Sequence, residues 1–369
     1  MTKKGGPSIE DLAKRRLDGS CEEMKHLLSN IATVILAGGK GQRLMPLTKY
    51  RAKPAVPLKG SLRLIDVSIE AARRVSLGPV FLATQYQEES ILRHLKHRGI
   101  HRKLQVLSGH EVGGYQGTSD VIRKNSFLLR QCGAEYFLIL SGDQIHNLDI
   151  PSFITRAQKQ NRPCCVSSIP VSERDAPRFG ILKQSPEGRI QQFHEKPADK
   201  ELLRSLRSFS QSSKKPFLGS MGIYLFKKNS LIHLLDQHPF LDFGQEVIPH
   251  YVKEGIASTV MHPGHWKDIG TIPYYFETLL RLYPRRSFPL CRTKNTVFLE
   301  EHHARQTVVG RHCHLSNVIV DVGVHIGHHV HLECPPNYPD IDTPSISTRN
   351  GVVIVKQNAH LEDGFTLPQ

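Results

Sequence analysis

Thr33-Val34-Ile35-Leu36-Ala37-Gly38-Gly39-Lys40-Gly41-Gln42-Arg43-Leu44, followed by Arg51-Ala52-Lys53-Pro54, is the stretch from which the fold can be read. A short apolar run of β-forming residues stops at a glycine-rich turn flanked by cations. A strand ending in such a turn offers bare backbone N–H groups to an anion. Gly38, Gly39 and Gly41 carry no Cβ, so a ligand can approach the main chain closely. Lys40, Arg43 and Lys53 add charge, and a nucleoside-triphosphate cradle is the expectation. The spacing excludes the two commonest nucleotide loops. Lys40-Gly41 lacks the Ser/Thr and the offset of Gly-x-x-x-x-Gly-Lys-Ser/Thr. Arg43 stands near the third glycine of Gly-x-Gly-x-x-Gly.

Outward from this loop, apolar runs of strand length alternate with amphipathic stretches of helix length. Strands are predicted at 33–37, 80–84, 104–107, 136–141 and 164–170, and helices at 65–75, 88–98, 119–132 and 150–161. This order implies an α/β, Rossmann-like domain with a mostly parallel mixed sheet and helices on both faces. Ligands of such sheets gather at the carboxyl ends of the strands, where Gly38–Arg43 and Gly142-Asp143 fall. A hairpin (180–183 with 189–194), a Ser/Lys/Arg-rich surface insert (199–215), a strand (218–226) and helices at 230–237 and 272–283 follow. Residues 284–300, with two prolines and no clear period, read as a linker.

Beyond residue 300 the period changes. Val318, Val324 and Val330 recur at intervals of six, and Val320, Ile326 and Leu332 form an offset column around Gly323 and Gly327. Val353/Ala359 and Val355/Leu361 repeat the interval. This predicts a short parallel β-helix, interrupted over 334–350 by a proline-rich loop or distorted coil. His302, His303, His312, His314, His325, His328, His329 and His331 crowd this region. Imidazole is a common metal ligand, yet no Cys or carboxylate constellation accompanies them, and outward-facing coil positions are expected.

At 369 residues the chain has room for two domains and a sizeable core. A hydrophobic content of 39% with 22% charged residues marks it as globular rather than disordered. No apolar run approaches the roughly 18–20 residues of a membrane span. Residues 1–30 are polar and basic without an apolar h-region, so a cytoplasmic location is expected, with a helix or an extended lead-in over 8–29. The net charge of +15 admits nucleic acid or phosphorylated metabolites as partners. Lys and Arg are scattered and aromatics are only 7%, which disfavours nucleic acid. Seven cysteines without a C-x-x-C pair imply reduced thiols, with Cys164 and Cys165 in the core.

The motifs run in a fixed order along the chain. After the opening loop and Arg51-Ala52-Lys53-Pro54-Ala55-Val56 come Arg63-Leu64-Ile65-Asp66, Thr84-Gln85-Tyr86-Gln87, Tyr115-x-Gly117-Thr118-x-Asp120 and Gly142-Asp143. Phe179-Gly180, Phe193-x-Glu195-Lys196-Pro197-Ala198, Ser220-Met221-Gly222-Ile223-Tyr224, Asp242-Phe243-Gly244 and Trp266-x-Asp268-x-Gly270-Thr271 follow. In this series the chain resembles the sugar-nucleotidyltransferase superfamily, and within it the bacterial glucose-1-phosphate adenylyltransferases (ADP-glucose pyrophosphorylases). The resemblance is dense over 31–280 and sparse over 300–369. It implies an extension (1–30), a nucleotidyltransferase domain (31–283), a linker (284–300) and a left-handed parallel β-helix domain (301–369).

The resemblance also implies a reaction. ATP and α-D-glucose 1-phosphate would give ADP-glucose and diphosphate for glycogen or α-glucan synthesis. Mg²⁺ would be the cofactor and a homotetramer the assembly, with no nucleic acid or membrane as partner. Arg43, Lys53 and Asp143 would be catalytic, and Asp143 and Asp268 would hold the metal. Gly38, Gly39, Gly41, Gln85 and Gly117 would line the nucleotide, and Tyr115, Gly180, Glu195, Lys196 and Ser220 the sugar phosphate. Departures from the family pattern are Gln116, Gln144, His146 and Glu70-Ala71; none removes a carboxylate, so activity is expected. Tyr50 stands where some relatives place an activator-binding lysine, and Pro57 replaces a basic residue. Altered or lost regulation is therefore expected, with Arg63 and Arg130 as remaining anion contacts. Transfer of another nucleotide, or a catalytically weak regulatory role, stays open at this level.

Overall fold

The computed structural model describes residues 28, 30–75, 78–209, 213–282, 290–300 and 306–368. The helix or lead-in read over 8–29 falls almost wholly outside these residues, as do His302 and His303. The opening apolar run is the strand Ile31–Ala37, buried along nearly its whole length, as a strand covered on both faces must be. Alternation sorts its side chains. Ile31, Ile35 and Ala37 join one core with Ile65, Ile69, Ile91 and Leu95, while Ala32 and Val34 join the other with Val121, Ile122 and Leu231.

Ile31–Ala37 lies in parallel between Val80–Thr84 and Tyr136–Ser141, and Gln105–Ser108 extends the parallel half. Phe217–Lys227 runs antiparallel beside Tyr136–Ser141 and also pairs with Cys164–Val171 and Gly180–Gln184. Ile190–Glu195 completes the predicted hairpin, and Ala257–Met261 pairs in parallel with Cys164–Val171. The result is the expected α/β domain, built on a nine-stranded mixed sheet. The helix predicted at 119–132 is two, Asp120–Lys124 and Ser126–Gln131. Asn125 breaks it: its Nδ2 donates to Val121 O (2.8 Å) and Tyr115 Oη (2.9 Å), a side-chain competition that sequence periodicity does not register.

The stretch read as a linker, 284–300, is a strand over Arg292–Phe298 that pairs in parallel with His314–Val320. Its polar first half conceals it; only Val297 and Phe298 at its end, with Leu299 after it, are buried. Further coils stack in register, His314 on His331, Val318 on Val353 and His325 on His360. Every residue in the two predicted valine/isoleucine/leucine columns is buried. The interval of six marks successive sides of one coil, and stacked partners lie further along the chain. Within 334–350, Ile346–Arg349 forms an antiparallel hairpin with Val352–Val355.

The β-helix joins the sheet domain through a shared core. Leu44, Leu47, Val56 and Leu58, which flank the glycine loop and the Arg-Ala-Lys-Pro turn, pack with Tyr275 and Leu279 and with Ile319 and Ile354 of the coils. A buried ion pair reinforces it: Arg51 Nη1 donates to Asp321 Oδ1 at 2.9 Å, and Arg51 Nη2 to Gln357 Oε1 at 2.8 Å. Among the described residues no helix is long and apolar enough to cross a membrane. Cys132, Cys164, Cys165, Cys291, Cys313 and Cys334 are free thiols, and Cys164 and Cys165 are buried as expected.

Candidate active site

The glycine loop leaves the carboxyl end of Ile31–Ala37 with Gly39 in open space. Gly41 is fixed as glycine twice over. Its φ is +62°, and a Cβ there would lie 2.7 Å from Lys53 Cβ and 3.1 Å from Thr48 Cγ2. Thr48 Oγ1 donates to Gly41 O at 3.0 Å. The loop is thus closed down onto the short 3₁₀ turn Lys53–Ala55 that carries Lys53.

Asp143 and Asp268 are brought together by a two-stranded ribbon. Gln144–His146 pairs antiparallel with Trp266–Asp268, with Asp268 opposite Gln144, so residues far apart in sequence face one another. Lys53 Nζ reaches both, at 2.5 Å from Asp143 Oδ2 and 3.6 Å from Asp268 Oδ1. Ser141 Oγ also donates to Asp143. Burial opposes charge on Asp143, but Lys53 and the hydrogen bonds from Lys53 and Ser141 outweigh it and hold its pKa below the usual carboxylate value. Asp268 is pushed the other way. Burial and repulsion from Asp143 exceed the attraction of Lys53, Arg178 and Arg43. Burial likewise opposes charge on Lys53, and the two carboxylates more than compensate, so its pKa is raised. The group is a mutually dependent set of charges.

Two arginines complete it. A Cβ on Gly270 would lie 2.7 Å from Asp268 Oδ2, 3.3 Å from Arg43 Nη2 and 3.6 Å from Arg178 Nη2, so all three side chains converge there. Arg178 Nη2 is 3.9 Å from Asp268 Oδ2, and the guanidinium sits 3.9 Å from the Tyr274 ring centroid. That nitrogen is buried without a hydrogen-bond partner among the described residues. Sequence reading overlooked Arg178, though it directly precedes Phe179-Gly180.

The remaining predicted residues form a second group. Glu195 lies between two glycines, since a Cβ on Gly180 or on Gly244 would approach its Oε2 to 2.7 Å. Lys196 adopts φ +47°, rare outside glycine, and its Nζ is 2.8 Å from Glu195 Oε1. Ser220 sits at an irregularity of the Phe217–Lys227 strand, where its Oγ accepts from Gly222 N at 3.2 Å. Gly117 is required by close approach, because a Cβ would lie 2.1 Å from Leu241 O. Thr118 Oγ1 donates to Asp242 Oδ2 (3.0 Å) and accepts from Phe243 N (2.9 Å), which joins two of the sequence motifs into one corner.

Gln85 and Tyr115 play supporting parts. Gln85 Oε1 accepts from Tyr115 N at 2.5 Å. The Tyr115 hydroxyl donates to Leu107 O at 3.2 Å and accepts from Asn125, so its polar end is committed to the protein. Arg63 and Arg130, read as anion contacts, are engaged as well. Arg63 Nη1 donates to the carbonyls of Gly60, Leu62 and Glu300, and Arg130 pairs with Asp236.

Residues 32–283 match the family model described as nucleotidyl transferase. The chain belongs to the nucleotidyl transferase family. Residues 292–366 match a second model, described as the GLGC left-handed parallel beta-helix domain. Its first residue is that of the Arg292–Phe298 strand, the one read from sequence as linker. A nucleotidyl transferase domain followed by this β-helix fits a sugar nucleotidyltransferase.

Proposed function

We propose that this nucleotidyl transferase is a glucose-1-phosphate adenylyltransferase, joining ATP and α-D-glucose 1-phosphate to give ADP-glucose and diphosphate. One observation carries the reading: Arg43, Lys53, Asp143, Arg178 and Asp268 converge beside an open glycine loop. This set of cations around paired carboxylates suits a triphosphate. The Arg-Ala-Lys-Pro and Asp-Phe-Gly motifs support the adenylyl branch.

The donor set at Asp143 and Asp268 fits Mg²⁺, which takes one or two carboxylates and leaves its other positions to phosphate oxygens and water. Bound there, the cation would neutralise phosphate charge. The chain's own groups do the rest. Loop N–H groups and Arg43 hold the triphosphate, and Arg43 with Lys53 stabilises negative charge on the departing diphosphate. Arg178, with a buried donor to spare, reaches the same oxygens. Lys196 anchors the sugar phosphate, while Glu195 and Ser220 accept from sugar hydroxyls. A phosphate oxygen of the sugar then attacks the α-phosphorus in line as the bond to the β-phosphate oxygen breaks. No protein nucleophile is required, so the contribution is positioning and electrostatics.

The test is diphosphate release by purified protein with Mg²⁺, glucose 1-phosphate and each of ATP, dTTP, UTP and GTP. Turnover should be greatest with ATP. Activity with another triphosphate and not ATP overturns the adenylyl assignment, and folded protein inactive with all four supports a regulatory subunit.

A further inference from the structure

We propose a second cation site on the β-helix, built from His314, His331 and Glu333, for a divalent transition ion that prefers imidazole nitrogen. Strand geometry assembles it. Leu332, at the end of the short strand His331–Leu332, is fully buried, while His331 before it and Glu333 just after it are both exposed. The parallel register then places His314 directly beside His331 on the neighbouring coil. Their rings stack at 4.6 Å with 13° between planes, and His314 Nε2 is 3.1 Å from Glu333 Oε2. One ligand atom from each of the three lies within 4.8 Å of the others. Tetrahedral zinc sets its ligand atoms about 3.3 Å apart, given metal–ligand bonds of about 2.0–2.1 Å. The His314–Glu333 pair already meets that spacing, and only the exposed His331 ring has to turn.

A simple histidine–carboxylate pair would not need the second imidazole. The constellation also recurs. His360-Leu361-Glu362 repeats His331-Leu332-Glu333, with Leu361 fully buried, His360 2 residues from a carboxylate 3.5 Å away, and His325 stacked on His360 at 4.4 Å and 5°. The recurrence is looser and more open, so the proposal rests on the first site. Two nitrogens and one oxygen select Zn²⁺, Co²⁺, Ni²⁺ or Cu²⁺ over Mg²⁺, and so distinguish this site from the all-oxygen pair at Asp143 and Asp268. Sequence reading missed it because the carboxylate lies beyond the histidine cluster and His314 meets it only through coil register.

The test is titration of the full chain with CoCl₂ in excess Mg²⁺, followed by calorimetry and by visible absorption, which reports nitrogen ligation at low coordination number. One tight equivalent with visible bands is expected. His331→Ala and Glu333→Gln, both at exposed side chains, should each remove the bands and weaken that equivalent at least about tenfold, since even outer-sphere partners of metal ligands are worth about 10–100-fold. His312→Ala, in a stacked histidine pair that belongs to no metal-ligating group among the described residues, should leave it unchanged. Absence of a tight equivalent in the wild type, or equal loss in all three variants, overturns the proposal.

Discussion

Removing the carboxylate of Asp321 tests how the β-helix supports the turn that carries Lys53 and, with it, the proposed phosphate site. Asp321 side-chain exposure is 4% and that of Arg51 is 6%. Besides accepting from Arg51 Nη1, Asp321 Oδ1 accepts from Val322 N at 2.8 Å. Asp321→Ala therefore takes one carboxylate away from a buried guanidinium and the side-chain acceptor away from the Val322 amide. Breaking one side of a buried pair costs about 3–5 kcal/mol. Gln357 retains one hydrogen bond to Arg51, which sets the expectation at the lower end, about 3 kcal/mol. Asp321→Asn keeps an acceptor oxygen and loses only the charge, so about 1–2 kcal/mol is expected. Urea unfolding followed by far-UV dichroism measures both. Arg51 is two residues from Lys53, and misplacing a catalytic group by about 1 Å can lower kcat by about a hundredfold. Asp321→Ala should thus lower kcat by about tenfold or more at temperatures where the protein is still folded. Stability within about 0.5 kcal/mol of wild type would refute the buried pair. Lost stability with unchanged kcat would refute the coupling of the β-helix to the Lys53 turn.

Two further outcomes follow from the same geometry. Lys196→Gln removes the charge proposed to anchor the sugar phosphate and should raise the glucose 1-phosphate KM about tenfold with little change in kcat; an unchanged KM removes Lys196 from that role. His146 is held to about 4 by burial and then by the nearby His262, and its Nδ1 accepts from Leu148 N at 3.4 Å. Between about 4 and the ordinary 6.5 the unfolded chain therefore binds a proton that the folded chain does not. Stability should fall as pH drops from 7 to 5, by about 1 kcal/mol after discounting partial exposure. His146→Gln should flatten that dependence in urea titrations at the two pH values, and an identical slope in the variant contradicts the burial argument.

Much of this molecule is legible in its sequence because its signals are local. Ile31–Ala37 and Tyr136–Ser141 are largely apolar runs, and the valine columns of the β-helix repeat in step over 318–332. Asp143 and Lys53 could be singled out because each sits in a short motif beside glycine or proline. What escaped is created by pairing. Arg178 gains meaning only when Gly270 lets Asp268 and Arg43 close around it. Arg292–Phe298 is a strand because His314–Val320 offers it an edge, not because its own residues are apolar. Tyr115 is expected from its motif to line the sugar phosphate, yet its hydroxyl is drawn inward by Leu107 and Asn125, whose side chain also splits the adjacent helix. Glu333 meets His314, 19 residues away, only through coil register.

The central claim is that Lys53, Asp143 and Asp268 form one catalytic centre for nucleotidyl transfer. Asp143→Asn tests it most directly, because the substitution keeps size and one acceptor oxygen while it removes the charge that Lys53 and Asp268 both sense. Single-turnover diphosphate release from ATP and glucose 1-phosphate is measured alongside thermal unfolding. The account predicts a rate loss of about a thousandfold with the fold intact, as for removal of a principal electrostatic group. Turnover within about threefold of wild type would contradict it.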